Sequence, residues 1–219
     1  MQDIFEMIST YGLALVISGL VIYFAIQFGN MFLDDAKKKR DAKKHDALAN
    51  LRNQISSTII ALLERTVLRA RGCRAYVFEF HNGAMSMGGL PFLKMTNTYE
   101  ALNDGAKSEL HKRESMPMQL FASFVDAISK HESLVMDVGN RTDEFSPFVY
   151  ETLVERGISV TVRAKIMDIN KRVIGYFGID YCAGKQVDAD VISEAVRIVE
   201  DTAVELGALL SVNMGREGR

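Results

Sequence analysis

No residue from Met7 to Leu33 carries a charge, and the centre of that run, Tyr11 to Gly29, is almost continuously apolar. A helix rises about 1.5 Å per residue, so a hydrocarbon layer about 30 Å thick takes about 20 such residues. The segment therefore reads as one transmembrane helix. A cleaved secretory signal would carry a basic start and a shorter apolar core. Here the first residues include Asp3 and Glu6, and the run is too long, so the anchor is expected to be retained.

The flanks set the direction. Lys37, Lys38, Lys39, Arg40, Lys43 and Lys44 follow the run, and no Lys or Arg precedes it. Basic residues stay on the cytoplasmic side of a span. The expected topology is a single pass through the inner (cytoplasmic) membrane, with the N-terminus outside and everything after the anchor in the cytoplasm. The lipid bilayer is then a partner through residues 7–33.

The rest of the 219-residue chain is long enough for one ordinary domain and a stalk. Its formal net charge of −2 carries no basic excess of the kind that phosphate backbones attract, so no nucleic-acid partner is expected. Cys73 and Cys182 have no metal-type spacing, and two free thiols suit a reducing compartment.

Residues 34–50 are too polar to pack alone and read as a basic juxtamembrane linker or solvated helix. Beyond them Leu48, Leu51, Ile55, Thr58, Leu62 and Arg65 recur at steps of three and four, which predicts a helix with one apolar stripe. The stripe suits packing on the following domain, on a second copy, or on both. A homodimer through this stalk and the terminal helix is the expectation.

Residues 51–219 read as one domain. Ala75–Phe80 predicts a buried strand closed by a turn at His81-Asn82-Gly83, and Pro91–Tyr99 a second strand after a loop containing Gly88-Gly89. Pro117–Lys130 has helical apolar spacing, and Ser133–Asp137 is strand-like. Phe148–Arg156 is a helix stopped by Gly157. Ile158–Met167 and Val173–Cys182 form a hairpin across Asp168–Arg172, and an amphipathic helix from Asp188 to Val212 follows. This order gives an α+β domain, an antiparallel sheet with helices packed on one side.

The order of elements is similar to the GAF-domain family, relatives of the PAS fold. The likeness is strongest from Phe145 to Leu210, where Glu155-Arg-Gly-Ile-Ser-Val enters a strand and Val173-Ile-Gly-Tyr-Phe-Gly-Ile-Asp follows a short turn. The resemblance covers about residues 51–212. It implies a sensory module whose first and last helices cover one sheet face while the other face, with its connecting loops, holds a ligand. The segment Phe78-Glu-Phe-His-Asn-Gly and the Met-rich stretch after it match no standard motif of the family, and its cyclic-nucleotide signature is not visible.

Alternation along strands sorts the candidate ligand-binding residues. Glu79 and His81 share a side of one strand, Arg163 and Lys165 a side of another, and Asp180 shares a side with Tyr176 and Gly178. If those sides coincide, they build a polar pocket from Glu79, His81, Asn82, Arg163, Lys165, Tyr176 and Asp180. The plain alternative makes Arg163 and Lys165 a solvated sheet face, Asp180 a loop cap, and Asn82-Gly83 a turn. Met85, Met87, Met95, Met116 and Met118 suit an adaptable apolar site or simple core filling.

No phosphate loop, nucleophile elbow or zinc-protease motif is present, so no catalytic residue, metal ligand or particular cofactor is assigned. The expected function is a membrane-anchored cytoplasmic sensor or scaffold that binds a small ligand or protein partner, with no recognised output module after Val212. The alternative is a membrane-active assembly protein such as a phage holin-like factor, which the acidic N-terminus, single span and basic flank also suit.

Overall fold

A computed structural model describes residues 2–85, 91–103, 105–184 and 187–217, with many side chains of residues 2–53, 82–92 and 212–217 outside the description. Helix α1 (Gln2–Arg69) begins the chain. Residues 1–53 form one compact unit and residues 54–219 a second. The expected span at residues 7–33 falls in the first unit, where most side chains lie outside the described residues. Among the described residues no helix is long and apolar enough to cross a membrane. Tyr23, Phe24, Ile26, Phe28 and Met31 are apolar side chains there, all exposed.

The second unit holds a six-stranded antiparallel sheet in the order β3-β2-β1-β6-β5-β4. Its strands are β1 (Arg74–Met85), β2 (Pro91–Leu102), β3 (Met116–Pro117), β4 (Ser133–Asp137), β5 (Ile158–Met167) and β6 (Val173–Cys182). Between them run α2 (Ala122–Lys130) and α3 (Pro147–Glu155), and α4 (Ala189–Glu217) follows β6. The α+β class stands. Gly157 ends α3 with φ +65°, the left-handed turn that suits a residue without Cβ. In the β5–β6 turn, the Asp168 carboxylate accepts the backbone N–H groups of Asn170 and Arg172 at 2.8 and 2.9 Å and pairs with the Arg172 side chain. Those bonds, the Arg172 backbone N–H foremost, hold its carboxyl below the usual carboxylate range.

Helices cover both sheet faces, not one. Ala75, Val77, Val162, Ala164, Ile166, Phe177 and Ile179 alternate onto one face and are buried. The end of α1 lies over this face, with Ser56 Oγ 3.2 Å from Tyr99 Oη and Tyr181 Oη donating to the Ala70 carbonyl at 2.8 Å. Helix α4 covers it too, burying Ala195, Ile198, Val199, Thr202, Ala203 and Leu206. The opposite face packs beneath α2 and α3 in a cluster that includes Tyr76, Phe78, Met95, Phe124, Ile128, Leu134, Leu153 and Tyr176. Both faces are closed because the connections themselves carry apolar helices, such as α2 with buried Phe124, Ala127 and Ile128.

Three further expectations change. Asn82-Gly83 makes no turn; β1 continues to Met85, with Asn82 beside Leu93 and Met85 beside Pro91. A long partner strand offers ladder bonds there, and pairing overrides the local Asn-Gly preference. The loop at residues 86–90 lies outside the described residues. The α1 stripe is rotated: Ile55 and Leu62 are buried as expected, but Ile59, Leu63, Thr66 and Val67 join them while Thr58 and Arg65 face outward. Finally, Cys73 and Cys182 are joined in a disulfide, with Cα atoms 5.9 Å apart, so neither is a free thiol. The start of β1 pairs with the end of β6, which brings together residues 109 positions apart.

Candidate functional site

Under α2 and α3, the sheet face carries polar groups where a plain core would be apolar. Arg74, Tyr76 and Phe78 alternate onto it from β1, Tyr176, Gly178 and Asp180 from β6, and Thr161, Arg163 and Lys165 from β5. The registers Arg74↔Asp180, Tyr76↔Gly178 and Arg163↔Gly178 set them side by side. Gly178 leaves the space in which the Tyr76 ring lies; a Cβ there would sit 2.6 Å from the ring's Cζ and Oη.

At one end is an ion network. Asp180, fully buried, takes Arg156 Nη2 at 2.7 Å and Arg74 Nη1 at 3.4 Å on the same oxygen. Arg74 Nε lies 3.1 Å from Glu100 Oε1, and Arg74 Nη2 donates to the Lys107 carbonyl at 2.6 Å. Glu100 also accepts Ser108 Oγ at 2.6 Å and the Glu109 backbone N–H at 3.0 Å. The network thus fastens the irregular chain after β2 to the sheet. Asp180 Oδ1 and Arg156 Nε are buried without a hydrogen-bond partner among the described residues.

In the middle is an aromatic box around Arg163, which is only 5% exposed. Its guanidinium carbon is 4.8 Å from the Phe124 ring centre, 5.5 Å from that of Tyr176 and 5.9 Å from that of Tyr76. Arg156 stands over the Tyr76 ring as well, at 5.4 Å. Arg163 Nε donates to Tyr76 Oη at 2.9 Å and lies 3.3 Å from Thr161 Oγ1. Among the described residues its terminal nitrogens find no acceptor and it forms no ion pair. Tyr176 stacks on Phe78 with ring centres 5.0 Å apart and meets Phe124 edge-on.

The charges do not balance. Three buried guanidiniums, on Arg74, Arg156 and Arg163, face two buried carboxylates, on Glu100 and Asp180. Glu109 pairs with Arg113 and Lys112, each at 3.4 Å, and acts on Arg156 only as a weaker, more distant charge. The phenols do not supply the missing charge. Burial pushes the Tyr76 and Tyr176 hydroxyls above the usual tyrosine range, against the opposing pull of Arg163.

Of the residues predicted from sequence, Arg163, Tyr176 and Asp180 lie on this face, and Lys165 lies at its margin, paired with Glu132 at 3.0 Å. Glu79 and His81 lie on the opposite face, because the β1 alternation that turns Tyr76 and Phe78 inward turns them away. His81 is exposed, with Nε2 2.9 Å from Thr96 Oγ1. The Asn82 side chain lies outside the described residues. Sequence reasoning missed Arg74, Tyr76, Glu100 and Arg156. The available signal was parity, since Arg74, Tyr76 and Phe78 share a side and their run is the more aromatic one.

Comparison with solved structures gives the class of fold. The chain resembles the phycocyanobilin-bound GAF domain of a cyanobacterial phytochrome at TM-score 0.55 and 16% identity, over 78% of this chain and 97% of that one. It resembles the blue-light absorbing form of the PixJ GAF domain of Thermosynechococcus elongatus at 0.53 and 9%, over 75% and 92%. Against the photoproduct state of a GAF domain from Synechocystis the values are 0.51 and 14%, over 75% and 99%. No family model matches the sequence, and no curated protein does. The fold is GAF-like.

Proposed function

We propose that this chain is a membrane-anchored, non-catalytic sensor or scaffold module, with its GAF-like domain on the cytoplasmic side and its ligand side on the sheet face beneath α2 and α3. The observation that carries the reading is the polar, charge-unbalanced interior of that face. Such an interior costs stability, and retaining it makes sense where something binds. Its groups suit binding better than turnover. Arginines stay charged at any physiological pH, the tyrosines are held protonated, and Asp180 is pinned between two guanidiniums.

The anchor reading rests on the uncharged run from Met7 to Leu33 and the basic residues after it. Exposed Tyr23, Phe24, Ile26, Phe28 and Met31 agree with a helix meant for lipid rather than water. A homodimer through the outer faces of α1 and α4 is part of the proposal.

Native mass spectrometry of the full-length chain, extracted in mild detergent, tests this. The expected result is a dimer that keeps a small molecule. A large or heterogeneous oligomer without ligand would sink the sensor reading. Resistance to alkaline carbonate extraction is expected of the anchor, and release into the supernatant would overturn it.

A further inference from the structure

We infer that Arg163 is the anchor for a compact oxyanion, a carboxylate or phosphate group of the ligand, which completes the charge of the face beneath α2. The inference rests on the reading that this face is the ligand side, and it names the chemistry the ligand brings.

Guanidinium carries five N–H donors and does not deprotonate in proteins. In Arg163 only Nε is engaged, with Tyr76 Oη and Thr161 Oγ1, which leaves the two terminal nitrogens, the pair that grips a carboxylate or phosphate in two-pronged fashion. The two buried carboxylates are already committed elsewhere, Glu100 to Arg74 and Asp180 to Arg74 and Arg156. A structural arginine at 5% exposure is ordinarily matched by a carboxylate or by carbonyl acceptors; this one is matched by aromatic rings. Rings compensate a cation only in part. An oxyanion on the terminal nitrogens supplies the rest, and Arg156, 5.4 Å from the centre of the same Tyr76 ring, adds to the positive potential.

The same geometry limits the ligand and says what moves. Of the three rings around the guanidinium, that of Phe124, fully buried on the nine-residue helix α2, has the nearest centre. The group that reaches Arg163 is therefore small, and it displaces Phe124 and α2 with it. Binding at Arg163 is thereby coupled to the position of a surface helix.

The test uses the full-length chain in detergent, with inorganic phosphate and acetate as probes against chloride at equal ionic strength. Thermal unfolding and calorimetric titration are measured on the wild type, Arg163→Lys and Arg163→Gln. Either probe is expected to raise the wild-type midpoint over chloride. Arg163→Lys, a point charge without the fork, is expected to weaken probe binding about tenfold or more. Arg163→Gln should abolish the response and, without probe, unfold at or above the wild-type midpoint, because it removes an unbalanced buried charge. A Gln variant of much lower stability, with probes inert on the wild type, makes Arg163 a structural residue and overturns the inference. If native mass spectrometry nonetheless finds a retained molecule that the Gln variant also keeps, the sensor reading stands and only the oxyanion is lost. Inert probes and no retained molecule in any variant overturn both.

Discussion

Asp180→Asn is the most informative single change to the buried network. The side chain is fully buried, and its Oδ2 is the carboxylate oxygen for both Arg156 at 2.7 Å and Arg74 at 3.4 Å. Asparagine keeps the shape and removes the charge. Arg74 retains Glu100, but Arg156 has no other ion-pair partner among the described residues. Removing one partner of a buried pair costs about 3–5 kcal/mol, because the remaining charge is left uncompensated. Against a total of about 5–15 kcal/mol for an ordinary domain, that is a large fraction. With no tryptophan in the chain, urea unfolding of the full-length protein in fixed detergent is best followed by circular dichroism. The cycle is closed with Arg156→Met and the double variant. The double is expected to be less destabilised than the sum of the singles, with a coupling of about 1–3 kcal/mol. If Asp180→Asn costs under about 1 kcal/mol, the pair behaves like a hydrated surface ion pair, and the argument from buried charge fails.

Gly178→Ala places a methyl 2.6 Å from the Tyr76 ring, so it should cost about 1–3 kcal/mol as overpacking, read as a lowered thermal midpoint; an unchanged midpoint would mean the ring moves aside freely. Alkaline pH should weaken the fold through Tyr76, Tyr176 and Tyr181, all raised chiefly by burial, Tyr181 to about 12. Below the unfolded tyrosine pKa of about 10 each phenol is protonated in both states and its contribution is complete; above it the unfolded chain loses protons first, and stability falls by up to about 1.4 kcal/mol per pH unit for each. Urea midpoints flat to pH about 9 and falling above about 10 are expected, and native phenols that all titrate near the free value would contradict it. Reducing the disulfide removes a cross-link between residues 109 positions apart, which the chain-entropy estimate puts at about 3–5 kcal/mol; an unfolding midpoint indifferent to reductant would show that the bond constrains nothing.

The sequence was most legible where the physics is local. The β5–β6 hairpin, the stop of α3 at Gly157 and the start of the last helix follow from turn chemistry and apolar period, and they stand within a residue or two of expectation, while that helix runs five residues further than expected, to Glu217. Legibility failed where pairing decides. Asn82-Gly83 has the strongest turn signal in its region, yet a partner strand running from Pro91 to Leu102 keeps Asn82 and Met85 in the ladder, with a register shift between them. Which side of β1 faces inward is also a pairing question, since both Tyr76-Phe78 and Val77-Glu79 alternate acceptably. Glu79 and His81 carry suitable chemistry, but the alternation sets them on the sheet side away from the Arg163 box. Arg74 and Arg156 flank their elements like ordinary surface charges. Only the register Arg74↔Asp180 and the turn at Gly157 fold them over a buried carboxylate.

The disulfide and the basic flank of the anchor make opposing statements about compartment, and one measurement decides between them. The sheet register itself sets the cysteines side by side. The Cys73 backbone N–H donates to the Asp180 carbonyl at 2.9 Å, and Arg74 pairs with Asp180 in register. The bond is therefore a consequence of the fold plus an oxidant, not a requirement of the fold. Lys37 to Lys44 argue for the cytoplasm, where a thiol pool keeps such pairs reduced. Cys73 is 1% exposed but Cys182 is only partly buried, so exchange with that pool reaches the bond through Cys182 unless acid stops it. On the cytoplasmic reading, acid-quenched alkylation of intact cells finds both thiols free, with the domain shielded from protease added outside. A bonded pair together with protease-accessible α4 would place the domain on the oxidising side. The basic run would then have to be read as a surface for anionic lipid headgroups rather than a topology signal, for the same six charges cannot obey the positive-inside rule there.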